Sequence, residues 1–421
     1  MKNQDTLYWL WLAEKCGSAS KDFNKIIEKY DDPFDVYRLE ADEIEQLGSI
    51  GKTLKARLCE KDLDRSFEIL KYCKQNRVDI ISYGDKRYPE RLKMIECPPV
   101  VLYCKGYFPD FNSRLCVGVV GTRDMSEYGK ESAYRISYDL ASSSVITVSG
   151  MAKGIDGVAA CASLAAGGET VAVLGSGIDV VYPKEHKKLM DEICRHGAVI
   201  TEYPPKEKPY GYNFPKRNRI ISGLCQGVLV IEGDAGSGSL ITAELAINQG
   251  RQVFAVPGKI SDVGAQGPNE LIKGGAYSAT SAKDILKYYE FLYGDAYESR
   301  RKAKKNISVD KALESFGLSY AVSGEEAEQK DIAAPQKEKS KEKSKAEEVR
   351  EQQVESEDKA TVESLDPITR KIFESLPHDR AVSADAVVGE GISASDAITA
   401  LTMLELYGLV GSLPGGLYIR K

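Results

Sequence analysis

One pattern recurs through the middle of this chain: an apolar run, an immediate glycine turn, then apolar residues at helical spacing. Cys116 to Val120 breaks at Gly121-Thr122-Arg123 and gives way to Tyr134, Ile136 and Leu140. Val145 to Val148 ends in Ser149-Gly150, Thr170 to Leu174 in Gly175-Ser176-Gly177, and Val228 to Ile231 in Glu232-Gly233 and the run to Ser239 before the helical Leu240 to Asn248. Short continuous apolar runs alternating with helices describe parallel strands covered on both faces. The fold class is therefore α/β, with an extended Rossmann-like parallel sheet core. Ala198 to Thr201 and Val253 to Val256 add further strands.

Every open sheet of this kind needs small residues at its strand-to-helix turns, so one glycine turn alone says little. Repetition at successive strand ends points to a site, because ligands of such sheets gather at the carboxyl edge. Helix starts there offer unpaired N–H groups to an anion, which makes phosphate the expected ligand.

Before this core, residues 1–75 read as short helices and form a helical SAM/helix-hairpin-helix-like module. Its Leu47-Gly48-Ser49-Ile50-Gly51-Lys52 turn resembles those that present backbone N–H groups to nucleic acid, although glycine in such turns also serves packing. Residues 76–295 form the core, opening with proline-bounded β segments at Ile80 to Asp85 and Pro98 to Tyr103 that add edge structure to the sheet. Gly264 to Ala276 reads as a loop capping the sheet, and a short helix near Ala282 to Tyr289 closes the domain. Residues 296–360 are rich in Lys, Glu, Gln and Ser, most plainly in Gln336 to Lys345, and read as a charged tether in which Ile307 to Leu318 forms at most a transient helix. Residues 361–421 show three helical runs and a hairpin, the pattern of a winged helix. Its third helix, Ser393 to Tyr407, contains no Lys or Arg and is poorly equipped to read a DNA groove, which favours a protein contact.

The net charge of −6 argues against a uniformly basic surface, so nucleic-acid contact must come from a local patch. Asn213-Phe214-Pro215-Lys216-Arg217-Asn218-Arg219-Ile220-Ile221 supplies one: three cations in four positions, adjoining apolar residues. Arg217 and Arg219 project together if the segment is extended and diverge if it is helical. Nine cysteines without a C-x-x-C pair and three histidines at no ligand spacing predict reduced thiols, with no metal and no cofactor. The absence of a secretory signal or long apolar run predicts a cytoplasmic protein with no membrane contact.

Taken together, these motifs resemble the DprA (Smf) family of DNA-processing proteins of natural transformation. The resemblance rests on Val119 to Arg123 with Ser126 and Tyr128-Gly129; Ser149 to Ala152 with Gly154 to Asp156; Ala172 to Gly175 with Gly177, Asp179 and Tyr182-Pro183; Phe214-Pro215 with Arg217 to Ile221; Ser237 to Ala243; and Val256 to Gly258. It covers roughly residues 80–290. Glu185-His186 departs from the family's usual asparagine there.

The resemblance implies a single-stranded DNA-binding protein, commonly a homodimer, that protects incoming strands and helps load RecA recombinase onto them without enzymatic turnover. Arg123, Lys216, Arg217 and Arg219 would form the basic pocket, with Ser126, Lys153 and Lys184 as further members. Phosphates would sit against turn N–H groups at Gly121, Gly150 and Gly238, the last flanked by Ser237 and Ser239. Tyr212 and Phe214 are the stacking candidates, and Leu271-Ile272 is a candidate dimer patch. The alternative is a nucleotide-processing hydrolase using the same glycine loops with Asp156 or Glu232 as its carboxylate, for which no complete set of acid, base and nucleophile is present.

Overall fold

In a computed structural model of the chain, the structure describes residues 3–48, 50–297, 308–320, 322, 367–377, 382–387, 394–406, 409–413 and 417–420. Two compact units result, Met1–Gln329 and Lys330–Lys421. Ser49, Gln336 to Lys345, His378, Ser393, Tyr407 and the Pro414 to Gly416 turn lie outside the described residues.

The first unit begins with six helices: α1 (Asn3–Cys16), α2 (Asp22–Ile27), α3 (Pro33–Arg38), α4 (Ala41–Glu45), α5 (Lys52–Cys59) and α6 (Asp64–Gln75). Trp9, Leu10, Trp11 and Leu12 are all buried, so the middle turn of α1 is enclosed on every side at the centre of this module. Trp11 donates its indole N–H to the Glu60 carbonyl at 3.0 Å. The Gly51 amide, a candidate phosphate donor, instead meets the Asp22 carboxylate at 3.1 Å.

The core continues through β1 (Asp79–Ser82), α7 (Glu90–Lys93), β2 (Val101–Gly106), β3 (Cys116–Val120), α8 (Glu127–Ser142), β4 (Ile146–Ser149), α9 (Ile155–Ala165), β5 (Thr170–Val173), α10 (Lys187–His196), β6 (Ala198–Thr201), α11 (Asn213–Leu224), β7 (Gly227–Val230), α12 (Gly238–Asn248), β8 (Gln252–Ala255), α13 (Gln266–Lys273), β9 (Tyr277–Ser278) and α14 (Ala282–Tyr297). Its nine-stranded sheet has the order β1-β2-β6-β5-β4-β3-β7-β8-β9. Strands β3 to β9 run parallel, and the antiparallel β1–β2 pair joins β6 antiparallel at the edge. Every residue of β3 through β7 is buried, which is why those strands read as unbroken apolar runs.

Three elements differ from the sequence reading. The expected capping loop contains α13: Pro268 falls in its first turn, where a missing N–H costs no helical bond, and Leu271 packs against the core. Helix α14 runs eight residues beyond Tyr289, to Tyr297. Inside the expected tether, α15 (Val309–Ser315) is docked, with Ala312, Leu313 and the following Leu318 buried.

The second unit contains α16 (Pro367–Ser375), β10 (Val382–Ser383), α17 (Ala394–Leu406), β11 (Val410–Leu413) and β12 (Leu417–Arg420). Ala384–Val387 form a short 3-10 turn. Ile372, Phe373, Leu376, Leu401, Leu404 and Val410 form the core of this winged-helix domain.

Candidate nucleic-acid interface

The strand order reverses between β3 and β7, where ligands of open sheets are expected. Here a side chain occupies the crevice. Glu232, at the end of β7, accepts from the Ser126 amide at 2.9 Å and the Ser126 hydroxyl at 2.5 Å. Ser126 also caps α8 by accepting from the Gly129 amide at 3.0 Å. Its polar groups are thus committed to holding α8, which removes Ser126 from the set of DNA contacts expected from the sequence.

The turn after β4 is closed in a similar way. Asp156 accepts from the Gly150 amide at 2.8 Å and the Ala152 amide at 3.4 Å, and the Ser149 hydroxyl accepts from the Met151 amide at 3.3 Å. Arg217 donates to the Gly150 carbonyl at 2.8 Å and to the Val173 carbonyl. A Cβ on Gly150 would stand 2.5 Å from the Arg217 guanidinium, so glycine is required there for the arginine to approach. At Gly121 a Cβ would meet Ile155 at 2.6 Å; this glycine lets α9 pack on β3. The expected phosphate contact at the Gly150 amide is therefore corrected: that N–H is spent on Asp156.

Burial raises the Asp156 carboxyl, with Arg217 pulling it back, and burial lowers the Arg217 guanidinium to about 10, with Asp156 opposing. Arg217 therefore stays charged at neutral pH on the cavity wall. Asp156 and Glu232, the two carboxylates of the hydrolase alternative, each hold a backbone turn. Among the described residues no cluster of His, Cys, Asp and Glu is arranged for a metal ion.

Above β3, β4 and β5 a cavity of about 230 Å³ opens, lined by Arg123, Gly150, Ala152, Lys153, Leu174 to Ser176, Tyr182, Pro183, Phe214 and Arg217. It is smaller than the roughly 300–1,000 Å³ pockets that enclose drug-sized ligands, a scale suited to a base or a phosphodiester. Phe214 forms its aromatic wall, with Tyr182 5.3 Å away between ring centroids and the Arg123 and Arg217 guanidinium groups 5.9 and 5.8 Å from its ring. Arg123 is exposed, and among the described residues no carboxylate pairs with it. Lys153 pairs with Glu185 at 2.5 Å, both half-exposed, an arrangement that a phosphate can displace at little cost.

The cavity thus brings together five of the residues expected from the sequence: Arg123, Gly150, Lys153, Phe214 and Arg217. Lys184 and Lys216 are exposed but off its wall, with Lys216 5.3 Å from the Tyr212 ring. Gly121 is not among its lining residues and packs against Ile155. Ser237, Gly238 and Ser239 start α12, and Asn218 reaches the Gly238 carbonyl at 3.4 Å. The structure removes Arg219 from the pocket altogether: helix α11 turns it away, and it pairs with the buried Glu202 at 2.6 Å. Leu174 to Ser176 and Tyr182-Pro183 are not among the contacts expected from the sequence; for Leu174 to Ser176 the signal is their place directly after β5.

Two stretches match known families: residues 79–290 match DNA recombination-mediator protein A, and residues 356–416 match the DprA winged helix domain. The DNA processing protein DprA of Streptococcus pneumoniae is 39% identical over 289 residues, which cover 68% of this chain and 99% of that protein. Its namesake from Bacillus subtilis is 42% identical over 219 residues, covering 52% and 74% respectively. The X-ray structure of the Streptococcus pneumoniae protein superposes with a TM-score of 0.59 at 38% identity, covering 67% of this chain and 97% of that one.

Proposed function

Since this chain belongs to the DNA recombination-mediator protein A family, we propose that it binds single-stranded DNA in the cleft over β3, β4 and β5 and hands the strand to RecA recombinase during DNA uptake. The observation that carries this reading is the exposed Arg123, which forms no salt bridge among the described residues, beside the Tyr182 and Phe214 rings at the sheet's carboxyl edge. Arginine supplies charge and a planar donor for phosphate, and the rings supply a sequence-tolerant surface for bases. A duplex, its bases already stacked, offers only its backbone to such a site.

The protein acts in this reading in the cytoplasm, as a homodimer and without turnover of its own. Leu271 and Ile272 of α13 are half-buried and remain the proposed contribution to the dimer face. No helix among the described residues is long and apolar enough to cross a membrane.

The deciding experiment is fluorescence anisotropy with labelled oligo-dT and a duplex of equal length at two salt concentrations. Tighter binding of the single strand, weakening with salt and lost in Arg123→Ala, supports the reading. Equal affinity for both forms, or none for either, overturns it. RecA filament assembly on strands covered by single-strand-binding protein then tests the delivery step.

A further inference from the structure

Residues 308–320 lie between the stretches matched by the two families, 79–290 and 356–416. They form a strap across α8 and α9: Ala312, Leu313 and Leu318 are buried, and Lys130 reaches Asp310 at 3.0 Å. The strap ends on Tyr320, whose hydroxyl lies 2.7 Å from Nε2 of His186.

His186 is fully buried, and its Nδ1 lies 3.0 Å from the Met151 carbonyl. A carbonyl only accepts, so Nδ1 carries the hydrogen, Nε2 presents a lone pair, and Tyr320 is the donor to it. Helix α9 makes room for this contact at Gly157, where a Cβ would stand 2.2 Å from the Tyr320 hydroxyl.

Met151 sits between Gly150 and Ala152 on the cavity wall, with φ +53°. That left-handed conformation is disfavoured for a residue with a side chain, so the turn relaxes unless it is held. Asp156, Ser149 and Arg217 hold its other polar groups from the sheet and its helices. The Met151 carbonyl is held by His186, which is in turn held by the strap.

We propose that Tyr320 is a positioning residue of the DNA cleft: through His186 it fixes the Met151 carbonyl and so the direction in which Ala152 and Lys153 face a bound strand. The proposal rests on the cleft being the DNA site. Packing alone does not account for the hydroxyl, since a phenylalanine would bury the same ring.

The test uses the full chain as wild type, Tyr320→Phe and Gly157→Ala, the last to push the hydroxyl off His186. Oligo-dT affinity is read by anisotropy, and the imidazoles by two-dimensional ¹H–¹⁵N correlation, which three histidines keep simple. The expected result is a five- to tenfold loss of affinity in both variants. In wild type, the His186 signals show the Nδ1–H tautomer and move on oligo-dT addition with the anisotropy midpoint, while those of His196, at the far end of α10, stay still. Wild-type binding with undiminished affinity in both variants, or with His186 signals unmoved by DNA, overturns the strap's role and leaves the cleft intact. Wild type that fails to bind oligo-dT overturns the cleft reading and this inference with it.

Discussion

Arg217 and Arg219 stand two positions apart on α11 and serve different parts of the fold. Arg217 donates to the Gly150 and Val173 carbonyls under the cavity, whereas Arg219 pairs with Glu202 at 2.6 Å. Residues i and i+2 of a helix do not face one another, so the helical alternative for this segment decides that the two guanidiniums diverge. Both are almost fully buried, at 5% and 6% exposure, and only one touches the candidate site.

This divergence separates the effects of removing each pair. Arg219→Ala strands the Glu202 carboxylate, whose Oε1 already has no hydrogen-bond partner within the protein. The expected cost is about 3–5 kcal/mol of stability, read by chemical denaturation. Arg219→Met with Glu202→Leu removes both charges and should recover most of that loss. The double variant should bind oligo-dT with the wild-type salt dependence; a shallower slope would return Arg219 to the DNA contacts.

Arg123→Ala should behave in the opposite way. The side chain is exposed and carries no buried hydrogen bond, so stability should stay within about 0.5 kcal/mol of wild type. Oligo-dT affinity should fall at all base compositions, and the slope of log K against log salt should shrink by roughly 0.7 if one phosphate contact is lost. Tyr182→Ala, at a ring 42% exposed, should cost about 1–3 kcal/mol of binding with the slope unchanged. Titrations at four salt concentrations distinguish the two.

The alternation of apolar runs and glycine turns made the parallel sheet legible, because strands buried on both faces leave no polar positions to blur the pattern. The structure likewise gathers Arg123, Gly150, Lys153, Phe214 and Arg217, all named from the sequence, on the wall of one cavity. What each glycine serves was not. Gly121 and Gly150 look alike in sequence, yet one admits Ile155 and the other Arg217. The groups that close the turns come from afar: Glu232 reaches Ser126 across 106 positions, and Tyr320 reaches His186 across 134. Such pairings depend on tertiary packing, which local periodicity does not encode. A helix over Ile307 to Leu318 is legible, and Val309–Ser315 form one, but its docking is not, for the same reason: Ala312, Leu313 and Leu318 are buried against distant helices.

Buried His186 gives the fold a pH dependence with a definite sign. Burial holds its pKa below the usual 6.5, against the Met151 carbonyl and the Glu185 carboxylate, which raise it, and with Lys153, which lowers it further; the Tyr320 hydroxyl faces its other nitrogen. Well above pH 6.5 the ring is neutral in both folded and unfolded chains and contributes nothing to the dependence. As pH falls below 6.5 the unfolded chain takes up the proton first, so stability drops until the folded-state pKa is passed. Urea midpoints between pH 7.5 and 5 should show this decline, and it should be smaller in His186→Gln. An equal decline in that variant would assign the effect to other groups.

Glu232 offers the last test, because its carboxylate stands where an anion would otherwise meet the start of α8. It is buried at 6% exposure and bonds both the amide and the hydroxyl of Ser126, while Gly129 leaves it space that any Cβ would fill, 2.0 Å from its Oε2. Glu232→Ala therefore strands two donors beside a helix N-terminus, with an expected cost of about 1–3 kcal/mol. A helix start with vacant N–H groups attracts anions, so sulfate should restore part of the lost stability in the variant beyond its general salting-out effect on wild type. Thermal melts of both proteins in matched sulfate and chloride series read this difference directly. Identical sulfate increments in the two proteins would show that Glu232 fills the crevice only by packing, and that the reversal point of the sheet has no anion site for a carboxylate to replace.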